Sequence, residues 1–248
     1  MFDIDTWILY IHWSYFPIVG IGLLGNLLSF LVYTQTHMRK SSIGMLLCAL
    51  SFVDFFLLIL VIPVFILTKL PIWYKTGPGT PHASFEAYSI VVFYPLCMIA
   101  KTLSLYIMVL ISLERCLAVC RPLQVHLWCT KSNTLKVLIG VTIFSILFNL
   151  SRVFEYRLVW YFLWYYIILS IIFEYILPFL IMLLANAKII SVMYQKAQER
   201  LILTKQQQKE QKTTKMLLVI TIFFGICHAL SMLTKLIESL TSNSTSRE

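Results

Sequence analysis

The chain has 248 residues, of which 59% are hydrophobic and only 12% charged, with a formal net charge of +9. A soluble domain carries roughly 25% charged residues, so this apolar excess argues against a water-soluble fold. A large soluble helical bundle is excluded as well, because its helices need a polar stripe and the long apolar blocks here have none.

Six apolar blocks follow one another, at about 14–33, 42–68, 87–119, 135–150, 159–192 and 216–234. An apolar run of about 18 residues or more reads as a membrane span. In lipid the backbone must satisfy its own hydrogen bonds, which predicts helices throughout. The expected fold class is an all-α membrane protein, with residues 1–248 forming a single transmembrane bundle. The opening "MFDIDTWILYIHW" has neither a basic leader nor a small-residue cleavage site, so no signal peptide is expected.

The first block carries Asn26, in "GLLGNLLSF", and ends in the tight basic turn "TQTHMRKSS". The second carries Asp54, in "LSFVDFFLL", and leads into "KLPIWYKTGPGTPHAS", whose Pro/Gly density marks an ordered turn. The third carries Lys101, in "MIAKTLSLY", and runs directly into "SLERCLAVCRP", where Glu114 and Arg115 stand side by side. Pro122 stops or kinks the helix behind them. Only "EYR" at 155–157 separates the short fourth block from the fifth, which carries Glu174 in "IIFEYILPF". The segment "QKAQERLILTKQQQKEQKTTK" is polar and rich in helix formers, and is expected to extend the neighbouring helices beyond the membrane. The sixth block contains "FFGICHALSM", and the polar tail "TSNSTSRE" follows it.

Lysine and arginine set the orientation. The segments after the first, third and fifth blocks carry thirteen of them, the opposite set six, with Lys101 inside a helix. The richer side is cytoplasmic, which places the N-terminus outside. The net charge is therefore a topology signal, and nucleic-acid binding is a poor reading of it. The six cysteines form no disulfide framework: Cys48, Cys97 and Cys227 sit inside apolar blocks, while Cys116, Cys120 and Cys129 fall near the reducing cytoplasmic face. No metal-ligand spacing occurs among them.

An ionisable residue at mid-membrane costs about 2.5–3.5 kcal/mol on insertion scales, so Asp54, Lys101 and Glu174 must face protein or water. Cys97, Lys101, Ser104 and Met108 recur at four, three and four residues and share one helical face. That face either lines a polar interior, or Lys101 pairs with Glu174 or Asp54 merely to cement helices. For Asp54 with Asn26 and Ser104, an internal polar site is the preferred reading.

With these motifs in place, the chain resembles the rhodopsin-like G-protein-coupled receptors. "SLERCLAVCRPL" is similar to their Asp/Glu-Arg-Tyr region, Gly25-Asn26 to the first-helix Gly-Asn, "LSFVD" to the second-helix Leu-Ala-x-x-Asp, and Pro178 to the fifth-helix proline. Within that class it looks most like invertebrate FMRFamide-type neuropeptide receptors. The stretches that carry this are "YPLCMIAKTLSLYIMVLISLERCLAVCRPL", "FNLSRVFE" and "LPFLIMLLAN".

The resemblance implies a seven-helix receptor bundle with six of its helices present here. Arg115 would be the switch that pairs with Glu114 at rest and meets a heterotrimeric G protein when released. A snorkelling membrane-edge pair with no switching role is the alternative. Leu123 would be the apolar knob offered to the G protein. Asn26, Asp54 and Ser104 would line an interior water or sodium-ion site, with no other cofactor or metal. Cys97, Lys101, Glu155 and Glu174 are the candidate contacts for an extracellular peptide, the carboxylates answering a cationic Arg-Phe-amide. Phe224 and His228 are the sixth-helix switch candidates; for His228 a hydrogen bond between helices serves equally well. Membrane lipids and a second receptor copy complete the implied partners, and the plasma membrane is the implied location.

The chain departs from the pattern in several places. No seventh apolar block or Asn-Pro-x-x-Tyr follows the sixth, which itself lacks the tryptophan and proline of Phe-x-x-Cys-Trp-x-Pro. Ile90 stands where the outer disulfide cysteine is usual, and the fourth-helix tryptophan is missing. These departures lead to the expectation of impaired signalling and retention in the endoplasmic reticulum. Asn243-Ser244-Thr245 is a glycosylation sequon on the expected outer side. Asn149-Leu150-Ser151 is a sequon only on paper, at a helix end in lipid.

A six-helix channel or transporter subunit is the alternative reading. No regularly spaced arginines, no Thr-Val-Gly-Tyr-Gly-like filter and no repeated helix pair support it. An enzyme is not expected: there is no His-Glu-x-x-His, no intramembrane Asp pair and no Ser-His dyad at helical spacing.

Overall fold

The computed structural model describes residues 4–35, 41–67, 81–150 and 168–199, and residues 215, 219, 222, 223, 225, 226 and 230. The helices are α1 (Ile4–Thr34), α2 (Ser42–Val61), α3 (Pro81–Tyr88), α4 (Tyr94–Cys120), α5 (Pro122–Trp128), α6 (Lys131–Leu150) and α7 (Leu177–Glu199). No strand occurs among the described residues. Five described stretches are long and apolar enough to cross a membrane: Tyr15–Thr34, Ser42–Ile66, Ala83–Cys120, Lys131–Leu150 and Ile168–Gln195.

Three of these spans contain a π-helical turn that the hydropathy pattern does not reveal: Ile62–Ile66, Ser89–Phe93 and Ile171–Ile176. Proline accounts for two of them. It has no N–H to give, and its ring clashes with the carbonyl four residues back. For Pro95 that carbonyl belongs to Val91, and for Pro178 to Glu174; both lie inside a π turn. Widening the turn relieves the clash and lets Tyr94 N–H reach Ser89 O, and Leu177 N–H reach Ile172 O. Pro63 lies within the Ile62–Ile66 turn itself.

Four hydroxyls inside the spans are satisfied by their own helix. Ser51 donates to Leu47 O at 2.9 Å, Ser112 to Met108 O at 2.9 Å, Thr142 to Leu138 O at 2.8 Å and Ser145 to Val141 O at 2.8 Å. This is the pattern a lipid surround requires, since no water is available to take those protons.

The chain divides into two compact units. The first comprises Met1–Ile107 with Lys131–Leu158, the second Met108–Thr130 with Val159–Glu248.

In the first unit, α1 packs along α2. A Cβ on Gly22 would stand 2.8 Å from Leu58 Cδ1, so the glycine permits close approach. Further along, Phe30 meets Phe52, ring centroids 5.7 Å apart, and Phe52 meets Phe56 at 4.7 Å. The first turn of α2 is capped by Ser41, whose hydroxyl accepts from Gly44 N–H at 3.1 Å. Next to it, the Ser42 and Thr134 hydroxyls bond at 2.5 Å and tie the start of α2 to the start of α6. Farther along α6, Phe144 packs edge-on against Tyr106 of α4 at 5.2 Å.

In the second unit, α7 and the π turn before it bury Glu174, Tyr175, Pro178, Met182, Ala185, Asn186 and Ile189. Their spacing of one, three and four residues traces one helical face. Leu180, Leu183, Leu184 and Ile190 lie exposed on the remaining surface, as a lipid-facing helix should. Gly225 comes close to α7, where an added Cβ would stand 3.4 Å from Phe179.

Candidate functional site

The polar residues of the first unit converge on α4 from two sides. Ser104 Oγ donates to Asp54 Oδ1 at 2.5 Å, joining α4 to α2. Two residues earlier, Thr102 Oγ1 accepts from Asn149 Nδ2 at 3.0 Å, joining α4 to α6. The same Asn149 nitrogen also donates to Ser145 O at 2.8 Å. Thr102 and Ser104 point to different neighbours because successive helical residues are turned by about 100°.

Of the three residues expected in the interior site, the structure pairs Asp54 with Ser104 and turns Asn26 back on its own helix. Asn26 Nδ2 donates to Gly22 O at 3.0 Å. Asn26 nonetheless sits level with Asp54. The Gly22–Leu58 and Phe30–Phe52 contacts bracket the two, four residues to either side of Asn26 on α1 and four residues after and two before Asp54 on α2.

The expected face of α4 holds a buried Cys97, Ser104 and Met108 and a half-buried Lys101. Burial extends beyond it to Met98, Thr102, Leu105, Ile107, Val109, Ile111 and Ser112, so α4 is enclosed on more than one face. More than half (56%) of the richest window of that span is buried, against 6–33% for the other four. Glu174, in the second unit, is buried within its π turn.

At the far end of α4, Glu114 and Arg115 are half-buried. The helix ends where Arg121 leaves helical geometry (φ −137°, ψ 69°), and Pro122 opens α5 at once. The Arg121 guanidinium donates to Gln124 Oε1 at 3.1 Å. Leu123 is 87% exposed on the first turn of α5. The Cys116 and Cys120 sulfurs lie 3.9 Å apart, one turn from each other, as reduced thiols. Beyond α5, burial and then the Glu114 carboxylate push the Cys129 thiol up from its ordinary range.

Glu155, Phe224, His228 and Asn243 lie outside the described residues. Sequence reasoning missed the Thr102–Asn149 link and the buried Asn186. A signal for the first existed: an asparagine in an apolar helix needs a partner, and Ser145 and Asn149 share a helical face. No group of three or more metal-type side chains forms among the described residues.

The apolar spans and the hydrogen-bonded seam inside them define an all-α, multi-pass membrane protein. Residues 14–165 match the family of serpentine seven-transmembrane G-protein-coupled chemoreceptors of the Srw type, and residues 153–248 match the rhodopsin family of seven-transmembrane receptors. The chain belongs to the serpentine seven-transmembrane G-protein-coupled receptors. It is 40% identical over 242 residues to the FMRFamide peptide receptor frpr-18 of Caenorhabditis elegans, covering 90% of this chain and 55% of that relative. It is 35% identical over 151 residues to the FMRFamide receptor of Drosophila melanogaster, covering 58% of this chain and 26% of that one. The chain thus spans about half the length of the first relative and about a quarter of the second.

Proposed function

We propose that this chain is a neuropeptide receptor of the FMRFamide type, set in the plasma membrane with its N-terminus outside, that passes peptide binding to a heterotrimeric G protein. The observation that carries this reading is the 40% identity, across 90% of the chain, to a receptor named for that peptide. Two features support it. One is an acidic residue, Glu174, buried within a proline-linked π turn of a span. The other is Arg115, in the last turns of the longest described span, with the exposed Leu123 eight residues on in a short helix.

In this reading Glu174 and Glu155 answer the cationic end of the peptide, and Cys97 and Lys101 are further candidate contacts. Arg115 leaves Glu114 on activation, and Leu123 enters the G protein. Asp54 and Ser104 supply oxygen ligands for a sodium ion, a chemistry suited to a hard cation. Phe224 and His228 are the sixth-helix residues that move. Loss of a charge-assisted contact costs about 1.5–3 kcal/mol, or roughly 10- to 100-fold in affinity.

Binding of a labelled Arg-Phe-amide peptide to cells bearing the full chain tests the assignment. Glu174→Gln with Glu155→Gln, at equal surface expression, should weaken binding by about that factor. Unchanged binding would remove both residues from the ligand site, and no binding by the unmodified chain would remove the peptide reading.

A further inference from the structure

The segment between two spans carries an apolar surface that the receptor reading leaves unexplained beyond its first leucine. One span ends at Cys120 and the next begins at Lys131. Everything between them is therefore tethered to the membrane edge at both ends. Within it, α5 exposes Leu127 (72%) and Trp128 (70%) as well as Leu123. Leu123 and Leu127 are one turn apart on one side of the helix, and Val125, on the other side, is half-buried. Arg121, Lys131 and Lys136 are exposed on either flank, and no acidic residue occurs from Arg121 to Leu150.

We propose that α5 lies on the membrane surface, with Leu127 and Trp128 in the boundary between headgroups and acyl chains of an anionic leaflet. Three lines of chemistry point to lipid as the occupant. A surface in water would leave three large apolar side chains in solvent on a seven-residue helix. Tryptophan favours the membrane boundary, where its ring is in apolar surroundings and its N–H is hydrated. Basic residues on both flanks, with no acid among them, complement phosphatidylserine-type headgroups. The arrangement is that of an interfacial amphipathic helix reduced to two turns, its short length offset by the spans that anchor both ends.

Leu123, at the start of α5, remains the residue offered to the G protein; the lipid contact concerns the helix's C-terminal half. The inference rests on the membrane fold and not on the identity of the ligand, so its failure would leave the peptide reading untouched.

The test uses the full chain in lipid nanodiscs. Subtracting the Trp128→Phe emission spectrum from that of the unmodified chain isolates the signal of Trp128. Discs contain phosphatidylcholine alone or with phosphatidylserine, with and without a lipid carrying a nitroxide near the headgroup. The expected result is blue-shifted Trp128 emission, quenched at least about twofold by the nitroxide in phosphatidylserine discs. Arg121→Gln with Lys131→Gln should reduce that quenching to the level seen in phosphatidylcholine alone. Leu127→Ser should reduce it in both lipids, with circular dichroism unchanged. Water-like, unquenched Trp128 emission in both lipids would overturn the proposal. So would a blue shift that appears only when G protein is added, which would assign this face to a protein partner.

Discussion

Ser104 Oγ donates a hydrogen bond to Asp54 Oδ1 at 2.5 Å and so ties α4 to α2. A carboxylate inside a membrane bundle needs such a donor. Ser104→Ala should therefore destabilise the detergent-solubilised chain by about 1.5–3 kcal/mol, read as a lower melting temperature. Ser104→Thr keeps the hydroxyl and should recover most of the loss. Equal melting temperatures for the alanine and unmodified chains would show that the bond adds nothing to stability.

Gly22 makes room for the Leu58 side chain where α1 packs along α2. The atom that an added Cβ would meet, Leu58 Cδ1, is the far end of a mobile side chain. Gly22→Ala should therefore cost little, while Gly22→Leu should overpack the contact and cost about 1–3 kcal/mol. Leu58→Ala combined with Gly22→Leu should restore part of that stability. A Gly22→Leu chain as stable as the unmodified one would mean the helices do not depend on this contact.

Asn149 is fully buried and spends its amide protons on Thr102 and on its own helix. No oligosaccharide can be attached to it there, although the Asn-Leu-Ser sequence permits one. Treatment of expressed chain with a glycosidase should release nothing from a peptide containing Asn149. Asn149→Leu should remove the hydrogen bond between α4 and α6 and leave Thr102 with one partner fewer, a loss of about 1 kcal/mol visible in thermal unfolding.

Much of this architecture is legible in the sequence because lipid imposes a simple rule: long apolar runs become helices. That Asp54 needs a polar partner is legible for a related reason, since a carboxyl has no lipid-compatible alternative; Ser104 could have bonded to its own helix, as Ser51 and Ser112 do, and its bond to Asp54 comes from the structure. Asn26 is different. A carboxamide can satisfy itself on the carbonyl one turn back, and its bond to Gly22 O could not have been told apart from a bond across helices by spacing alone. The π turns were hidden because hydropathy does not register how a backbone accommodates proline. Asn149 was seen only as part of a sequon, and Thr102 lies off the face that Cys97, Lys101, Ser104 and Met108 define.

Cys129 offers a pH-dependent readout outside the spans. Burial and then the Glu114 carboxylate raise its thiol. The thiolate is the reactive form, so alkylation of Cys129 should stay slow at neutral pH and accelerate only above the range of an ordinary thiol. Glu114→Gln removes the charge contribution, lowers the thiol and should shift the alkylation profile to lower pH. The fraction of the Cys129 peptide modified by iodoacetamide, followed by mass spectrometry across pH, measures this. A profile unaffected by Glu114→Gln would show that the carboxylate does not act on the thiol.

In the proposed function, peptide binding at one end of the spans reaches a G protein through Arg115. Peptide-stimulated guanine-nucleotide exchange on purified heterotrimeric G protein, with the full chain in nanodiscs, tests it most directly. An Arg-Phe-amide peptide should accelerate exchange, and Arg115→Ala should abolish the acceleration while peptide binding persists. Peptide binding without any exchange by the unmodified chain, or exchange that survives Arg115→Ala undiminished, would contradict it.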